Sequence, residues 1–270
     1  MELSVKSLLT AAAAGLSLTS FAAGAHAADT DEPGAFFGRS FNIALRGWAT
    51  PTYEGGKHFG LYPGGSLAVT KPANFDAFAA PDDAASFALL DTTHFSTGIA
   101  AAIRETRYNN DELTGMRSIG WSLQGGGYLN YWPTPWLRLH VEGLKGLTSQ
   151  YGVLINTSAD AIMQTGRWRF AGGPRFSWGD QAWNNRYFGV TAAEAQASPY
   201  IANPYTAKAG LHFAGLEASA EYKLKAHWRL TFDVRYHHLL GDDANSPLVK
   251  QLGTADQFQA STGFRVMFPD

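Results

Sequence analysis

The last stretch of the chain alternates apolar and polar residues without a break. From Gln257 onward, Phe258, Ala260, Thr262, Phe264, Val266 and Phe268 share one face, and Gln257, Gln259, Ser261, Gly263 and Arg265 share the other. Side chains of a β-strand point alternately to the two sides of a sheet, so this spacing predicts a strand with one apolar and one polar face. The run can also cross a bilayer at a tilt, which takes about 9–11 residues. Trp228 to His238 repeats the pattern, with Trp228, Leu230, Phe232, Val234 and Tyr236 set against Arg229, Thr231, Asp233, Arg235 and His237. Strands of soluble sandwiches are nearer five or six residues, so length favours a membrane barrel.

Upstream segments follow the same rule less tidily. Leu216, Ala218, Ala220, Tyr222 and Leu224 alternate with Glu217, Ser219, Glu221 and Lys223, whereas Leu211 and Phe213 have the opposite parity, which predicts a bulge near Ala214-Gly215. Trp168, Phe170, Phe176 and Trp178 alternate with Arg167, Arg169 and Arg175, with Pro174 an awkward member of a paired strand. Leu137, Leu139 and Val141 oppose Arg138, His140 and Glu142, and Ile119, Trp121 and Leu123 oppose Ser118, Ser122 and Gln124. Weaker candidates are 37–48, 59–70, 87–104 and 151–163. The pattern predicts an all-β, transmembrane, antiparallel up-and-down barrel of about ten strands, with eight and twelve also open because bacterial barrels favour even numbers.

Connection lengths supply a separate test, since such barrels have short periplasmic turns and longer outer loops. With the C-terminus in the periplasm, 225–227, 164–165 and 133–135 become inner turns, and 240–256, 179–207 and 105–116 become outer loops. Two connections break the alternation: 148–150 is short on the outer side, and 71–85 is long on the inner side. Trp132, Trp136 and Trp228 beside inner turns, and Trp178, Trp183 and Tyr187 beside an outer loop, read as the aromatic girdles of a membrane barrel. Closure is a physical demand, because each unpaired amide in hydrocarbon costs several kcal/mol.

Composition agrees with this picture. Charged residues make up 16% of the chain, aromatics 13%, and Gly numbers 29. Mean hydropathy is −0.17, which excludes a polytopic helical membrane protein. A net charge of −2 gives no reason to expect nucleic acid as a partner. Cys is absent, which excludes disulfides, thiol catalysis and a lipidated N-terminal Cys. Lys6 precedes a short apolar run from Ser7 to Leu18, and Ala25-His26-Ala27 forms a small-x-small cleavage signal. Residues 1–27 therefore read as a signal peptide and 28–270 as the barrel, exported to the outer membrane and in contact with its lipid.

Several side-chain groupings could carry chemistry. Asp233, Arg235 and His237 point one way from a single strand, and Arg265 joins them from the next, as a polar lumen cluster. Charges that compensate one another across a water-facing interior account for it, although Arg167, Arg169, Arg175 and Arg265 could also attract anions. His237, His238 and Ser246 are close in sequence, as a lipid hydrolase would need, but no G-x-S-x-G elbow is present. Gly241-Asp242-Asp243 with Asn245 lacks the acidic ladder of a calcium loop and reads as a turn. Thr191 with Glu194 three residues on predicts a capping box and a short helix within the 179–207 loop. Tyr187, Phe188, Asp242 and Ser246, in the two long loops, are the candidates for contact with a partner. No cofactor, metal site or catalytic centre is expected.

One family resemblance is carried by ordered pieces of the C-terminal part. They are Gly173-Pro174-Arg175-Phe176-Ser177-Trp178, Tyr187-Phe188-Gly189-Val190-Thr191-Ala192-Ala193-Glu194-Ala195, Ala209-Gly210-Leu211 and, after His227-Trp228-Arg229-Leu230, the run from Leu239 through Val249. In these the chain resembles the MipA/OmpV family, the MltA-interacting outer-membrane proteins of Gram-negative bacteria. The resemblance implies a non-catalytic barrel that scaffolds a lytic transglycosylase and a bifunctional penicillin-binding protein in peptidoglycan remodelling. A narrow passive channel and an outer-membrane lipid hydrolase are the alternatives.

Overall fold

The computed structural model describes residues 38–268, apart from 72, 73, 75, 105, 106, 108–110 and 148–150. The leader expected over 1–27 lies outside the described residues. Among those described, eleven strands close into one barrel: β1 (Ser40–Pro51), β2 (Phe59–Thr70), β3 (Ala85–Asp91), β4 (Phe95–Arg104), β5 (Ser122–Thr134), β6 (Leu137–Gly146), β7 (Val153–Thr165), β8 (Trp168–Gly179), β9 (Gly210–Lys225), β10 (Trp228–Leu239) and β11 (Asp256–Phe268). Pairing of β1 with β11, from Phe41–Phe268 to Ala49–Ala260, completes the ring.

The expected count of about ten is corrected to eleven, and the reason lies in the long connection after β2. All other neighbours are antiparallel, but β2 and β3 pair in parallel through Ala68–Ser86 and Val69–Phe87. The chain leaves β2, brings residues 76–84 into the lumen and returns to the wall in its original direction. One such detour makes an odd number compatible with closure. It also splits the single candidate at 87–104 into β3 and β4, joined by a hairpin in which the Thr92 and Phe95 backbones pair.

The alternation read from the sequence sorts the wall into two faces. On β11, Phe258, Phe264 and Phe268 are exposed outward while Gln257, Ser261 and Arg265 are buried in the lumen. On β10, Trp228, Phe232 and Val234 face out while Arg229, Thr231, Asp233 and His237 are buried. An apolar exterior over a polar interior is the arrangement hydrocarbon requires. Pro174, which has no N–H to give, sits where the β7–β8 ladder lapses between Ser158–Arg175 and Ala161–Gly172. The bulge is real but lies slightly earlier than expected: the β8–β9 register shifts between Ser177–Phe213 and Trp178–Leu211, leaving His212 as the extra residue.

At one end of the barrel the connections other than 71–84 are short turns, and at the other they fold into a cap. Helices α1 (Gln181–Phe188), α2 (Ala192–Ala197), α3 (Gly241–Asn245) and α4 (Pro247–Lys250) build it. Its apolar interior joins Ile119, Leu154, Trp183, Tyr187, Phe188, Leu239 and Val249, and a second cluster joins Tyr53, Leu113, Val190, Ile201 and Leu248. Three of the expected girdle aromatics are thereby corrected. Trp183 is fully buried and Tyr187 nearly so in the cap, and Trp132 turns inward against Phe78 and Ala171. Trp136, Trp168, Trp178 and Trp228 do face outward. Ile119, expected in a strand, bridges Arg107 within the cap instead.

Candidate functional site

The lumen is filled by the segment from Asp76 to Ala84, which carries three carboxylates into a field of arginines. Asp76 accepts from Arg169 at 2.7 Å and from Arg229 at 2.5 Å. The carbonyl of Ala77 accepts from Arg265 at 2.7 Å. Asp82 takes Arg175 Nε at 3.0 Å, and Asp83 takes Arg138 at 2.6 Å. The Ala84 N–H ends the plug on Glu142 at 3.2 Å, while Phe78 lies beneath the Arg138 guanidinium. Behind these contacts the wall compensates itself: Asp160 bridges Arg138 and Arg175 at 3.1 and 2.6 Å, and Glu217 bridges Arg175 and Arg235 at 3.2 and 2.9 Å. Arg265 holds Glu221 at 3.0 Å. Bidentate guanidinium geometry suits such shared carboxylates better than an ammonium would.

Below the plug, toward the short turns, a cavity of about 450 Å³ remains, lined among others by Thr70, Asp76, Phe78, Tyr128, Trp132 and His140. On the opposite side the cap seals the lumen. Arg107 donates to the Tyr187 carbonyl at 2.7 Å, and Arg117 donates to Glu194 at 2.8 Å and to the Asn185 and Arg186 carbonyls at 3.0 Å. The expected capping box is present, with Thr191 and Glu194 exchanging hydrogen bonds at the start of α2. The bulged His212 anchors the cap to the wall, touching Asp243 at 2.8 Å and Glu54 at 3.3 Å.

Two of these carboxyl groups make the cap sensitive to acid. For Glu194, burial raises the pKa, but the N–H groups of Thr191 and Arg117, the Thr191 hydroxyl and the Arg117 charge together hold it below the usual glutamate range. For Glu54, burial acts upward and the His212 imidazole pulls the carboxyl down to about 2. A depressed folded-state pKa contributes stability that is complete above the unfolded value and is lost as pH falls through the folded one. The cap is therefore expected to stay docked at neutral pH and to loosen as pH drops below the ordinary glutamate range toward about 2. Protease cleavage between α2 and β9 against pH measures this. In E194A, cleavage should be fast at neutral pH; unchanged resistance in that variant would contradict the assignment.

The sequence candidates divide between lumen and cap. Asp233, Arg235, His237 and Arg265 do face inward, but they do not form one cluster. Asp233 meets Ser261, Arg235 meets Glu217 and the plug's Asp82, Arg265 meets Glu221, and His237 stacks on Phe213 at 4.5 Å. Arg169 and Arg175 also face inward, whereas Arg167 sits exposed in a turn. Tyr187, Phe188 and Ser246 are packed inside the cap, which removes them from contact with a partner. The Ser246 hydroxyl donates to the Phe188 carbonyl at 2.6 Å, and His238 is exposed beside Asp256, so the three hydrolase candidates are not assembled. Asp242 is half-buried, accepting the Lys208 N–H at 2.9 Å. The plug carboxylates Asp76, Asp82 and Asp83 were not singled out. Their signal was the one long connection on the short-turn side, crowded with acids.

A closed barrel with an apolar wall, a charged lumen and most of its long connections gathered at one end is an outer-membrane β-barrel. The family model for the MltA-interacting protein MipA matches residues 43–268, and the chain belongs to that family. No curated protein matches it. Among solved structures it is similar to an outer membrane channel from Pseudomonas putida F1, at 10% identity and a TM-score of 0.46, covering 90% of this chain and 100% of that one. It is also similar to neisserial surface protein A, at 10% identity and a TM-score of 0.30, covering 85% and 96%. The outer membrane protein OprG from Pseudomonas aeruginosa follows at 11% identity and 0.27, covering 86% and 96%.

Proposed function

We propose that the protein is a non-catalytic outer-membrane anchor for peptidoglycan-remodelling enzymes, with a lytic transglycosylase as first partner and a penicillin-binding protein as second. The observation that carries this reading is the double closure of the lumen, by an ion-paired plug and by a packed cap. A barrel filled in this way offers its partners its ends rather than its bore. The description of the family, MltA-interacting protein, supports the choice of first partner. Short turns of such barrels face the periplasm, where murein enzymes work, so the turn end is the face assigned to them.

Affinity capture from detergent-solubilised envelopes tests the reading. The tagged protein should retain a lytic transglycosylase, and a variant with the two-residue β5–β6 and β9–β10 turns, Pro135-Trp136 and Ala226-His227, each replaced by Asn-Gly should lose it. Capture of no murein enzyme by the intact protein would sink the proposal.

A further inference from the structure

The turn end of the barrel carries exposed cations and, among the described residues, no exposed carboxylate. Lys71, Arg167, Lys223 and Lys225 are all exposed there. The acids nearby are occupied: Asp91 is buried and accepts the Lys71 N–H at 3.0 Å and the Asn74 amide at 2.8 Å, while Asp76 is held by Arg169 and Arg229. Three of the cations form one lip. The β7–β8 and β9–β10 turns lie side by side, with Trp168 paired to Tyr222 and the Lys223 N–H donating to the Arg167 carbonyl at 2.8 Å. None of the three has an ion-pair partner among the described residues.

The orientation of the lip decides what it meets. Lys223 pairs across to Arg229 and continues the lumen-facing row of Glu217, Ser219 and Glu221, so it stands over the mouth, whereas Lys225, paired with the outward-facing Trp228, stands on the rim beside it. Trp168 and Trp228, exposed on the outer wall beside the lip, mark the level of the membrane interface. Uncompensated cations at the aqueous edge are costly to crowd together and gain most when an opposite surface approaches.

We propose that Arg167, Lys223 and Lys225 form the docking lip for an acidic surface of a periplasmic partner protein. The proposal deepens the anchoring reading above and rests on it for the identity of that partner. Electrostatic docking of this kind sets association and specificity, and it weakens as salt shortens the Debye length from about 30 Å at 0.01 M to about 8 Å at 0.15 M.

The test uses the full-length protein in nanodiscs of neutral phosphatidylcholine, with the triple variant Arg167→Glu, Lys223→Glu, Lys225→Glu. Arg167 is exposed in a turn and Lys223 and Lys225 are exposed at the very end of β9, so the variant should fold, as heat-modifiable gel mobility will show. Three probes are used: a purified lytic transglycosylase from the same cells, a poly-glutamate peptide, and vesicles containing phosphatidylglycerol. The proposal expects the enzyme and the peptide to bind the unmodified protein with salt-dependent affinity, and the variant to bind each at least tenfold more weakly. If the enzyme does not bind but the peptide does, and the variant loses it, the lip stands and the anchoring reading falls. Equal binding of the peptide to both proteins, or to neither, overturns the lip. A deficit confined to the phosphatidylglycerol vesicles also overturns it, because the cations would then be a lipid anchor.

Discussion

Replacing Asp160 with Ala should destabilise the barrel by about 3–5 kcal/mol, the cost of breaking a buried ion pair from one side. Asp160 on β7 is fully buried and shared by Arg138 and Arg175, at 3.1 and 2.6 Å. Its loss leaves two buried guanidinium groups short of an acceptor at once. Both arginines also hold plug carboxylates, Asp83 and Asp82, so the plug should be affected together with the wall. Denaturant unfolding in phospholipid vesicles, read by tryptophan fluorescence, measures the change. Asp256, exposed beside His238, serves as the control, because a solvent-screened pair contributes little. A D160A protein as stable as the D256A control would mean that the lumen lattice does not hold the fold.

The second large effect is on conduction. The intact protein should show no discrete steps in planar bilayers, since plug and cap each close the lumen. Replacing residues 74–83 by a Gly-Ser linker alone should leave the membrane silent, as should removing α1 and α2 alone. The two lesions together should give steps, and the current should be carried mainly by anions. Removal of Asp76, Asp82 and Asp83 leaves Arg138, Arg169, Arg175, Arg229, Arg235 and Arg265 facing Glu142, Asp160, Glu217, Glu221 and Asp233 on the wall. Cations then prevail, and a ring of cations favours anions. The reversal potential under a salt gradient reads the sign. Steps from the intact protein would remove the main support for an anchoring role, and cation-selective steps from the double lesion would contradict the charge assignment.

Much of the wall was legible because strand side chains alternate locally. The two faces of β10 and β11 match the residues named from spacing, and the bulge in β9 betrayed itself through the parity of Leu211 and Phe213. Legibility fails where the local signal is weak. Gly125, Gly126 and Gly127 in β5 have no side chains to alternate. The β3–β4 hairpin turns on Thr92, Thr93 and His94 and lacks the Gly or Pro that usually marks a turn, so two strands read as one. In the cap, Trp183 and Tyr187 look like interface aromatics because a large ring near a loop has the same sequence signature whether it faces lipid or a core.

Local alternation is enough to dictate a closed wall with grease outside and charge inside. That property depends on the period of two between neighbouring residues, and hydrocarbon tolerates no open edge. What fills the wall is set by long-range contacts. The plug's Asp76 meets Arg169 and Arg229 across 93 and 153 positions of sequence, and no periodicity records a pairing between residues so far apart. The eleventh strand and the filled lumen depend on contacts made only once the chain has folded back through its own barrel, and the cationic lip depends on the pairing of β8 with β9.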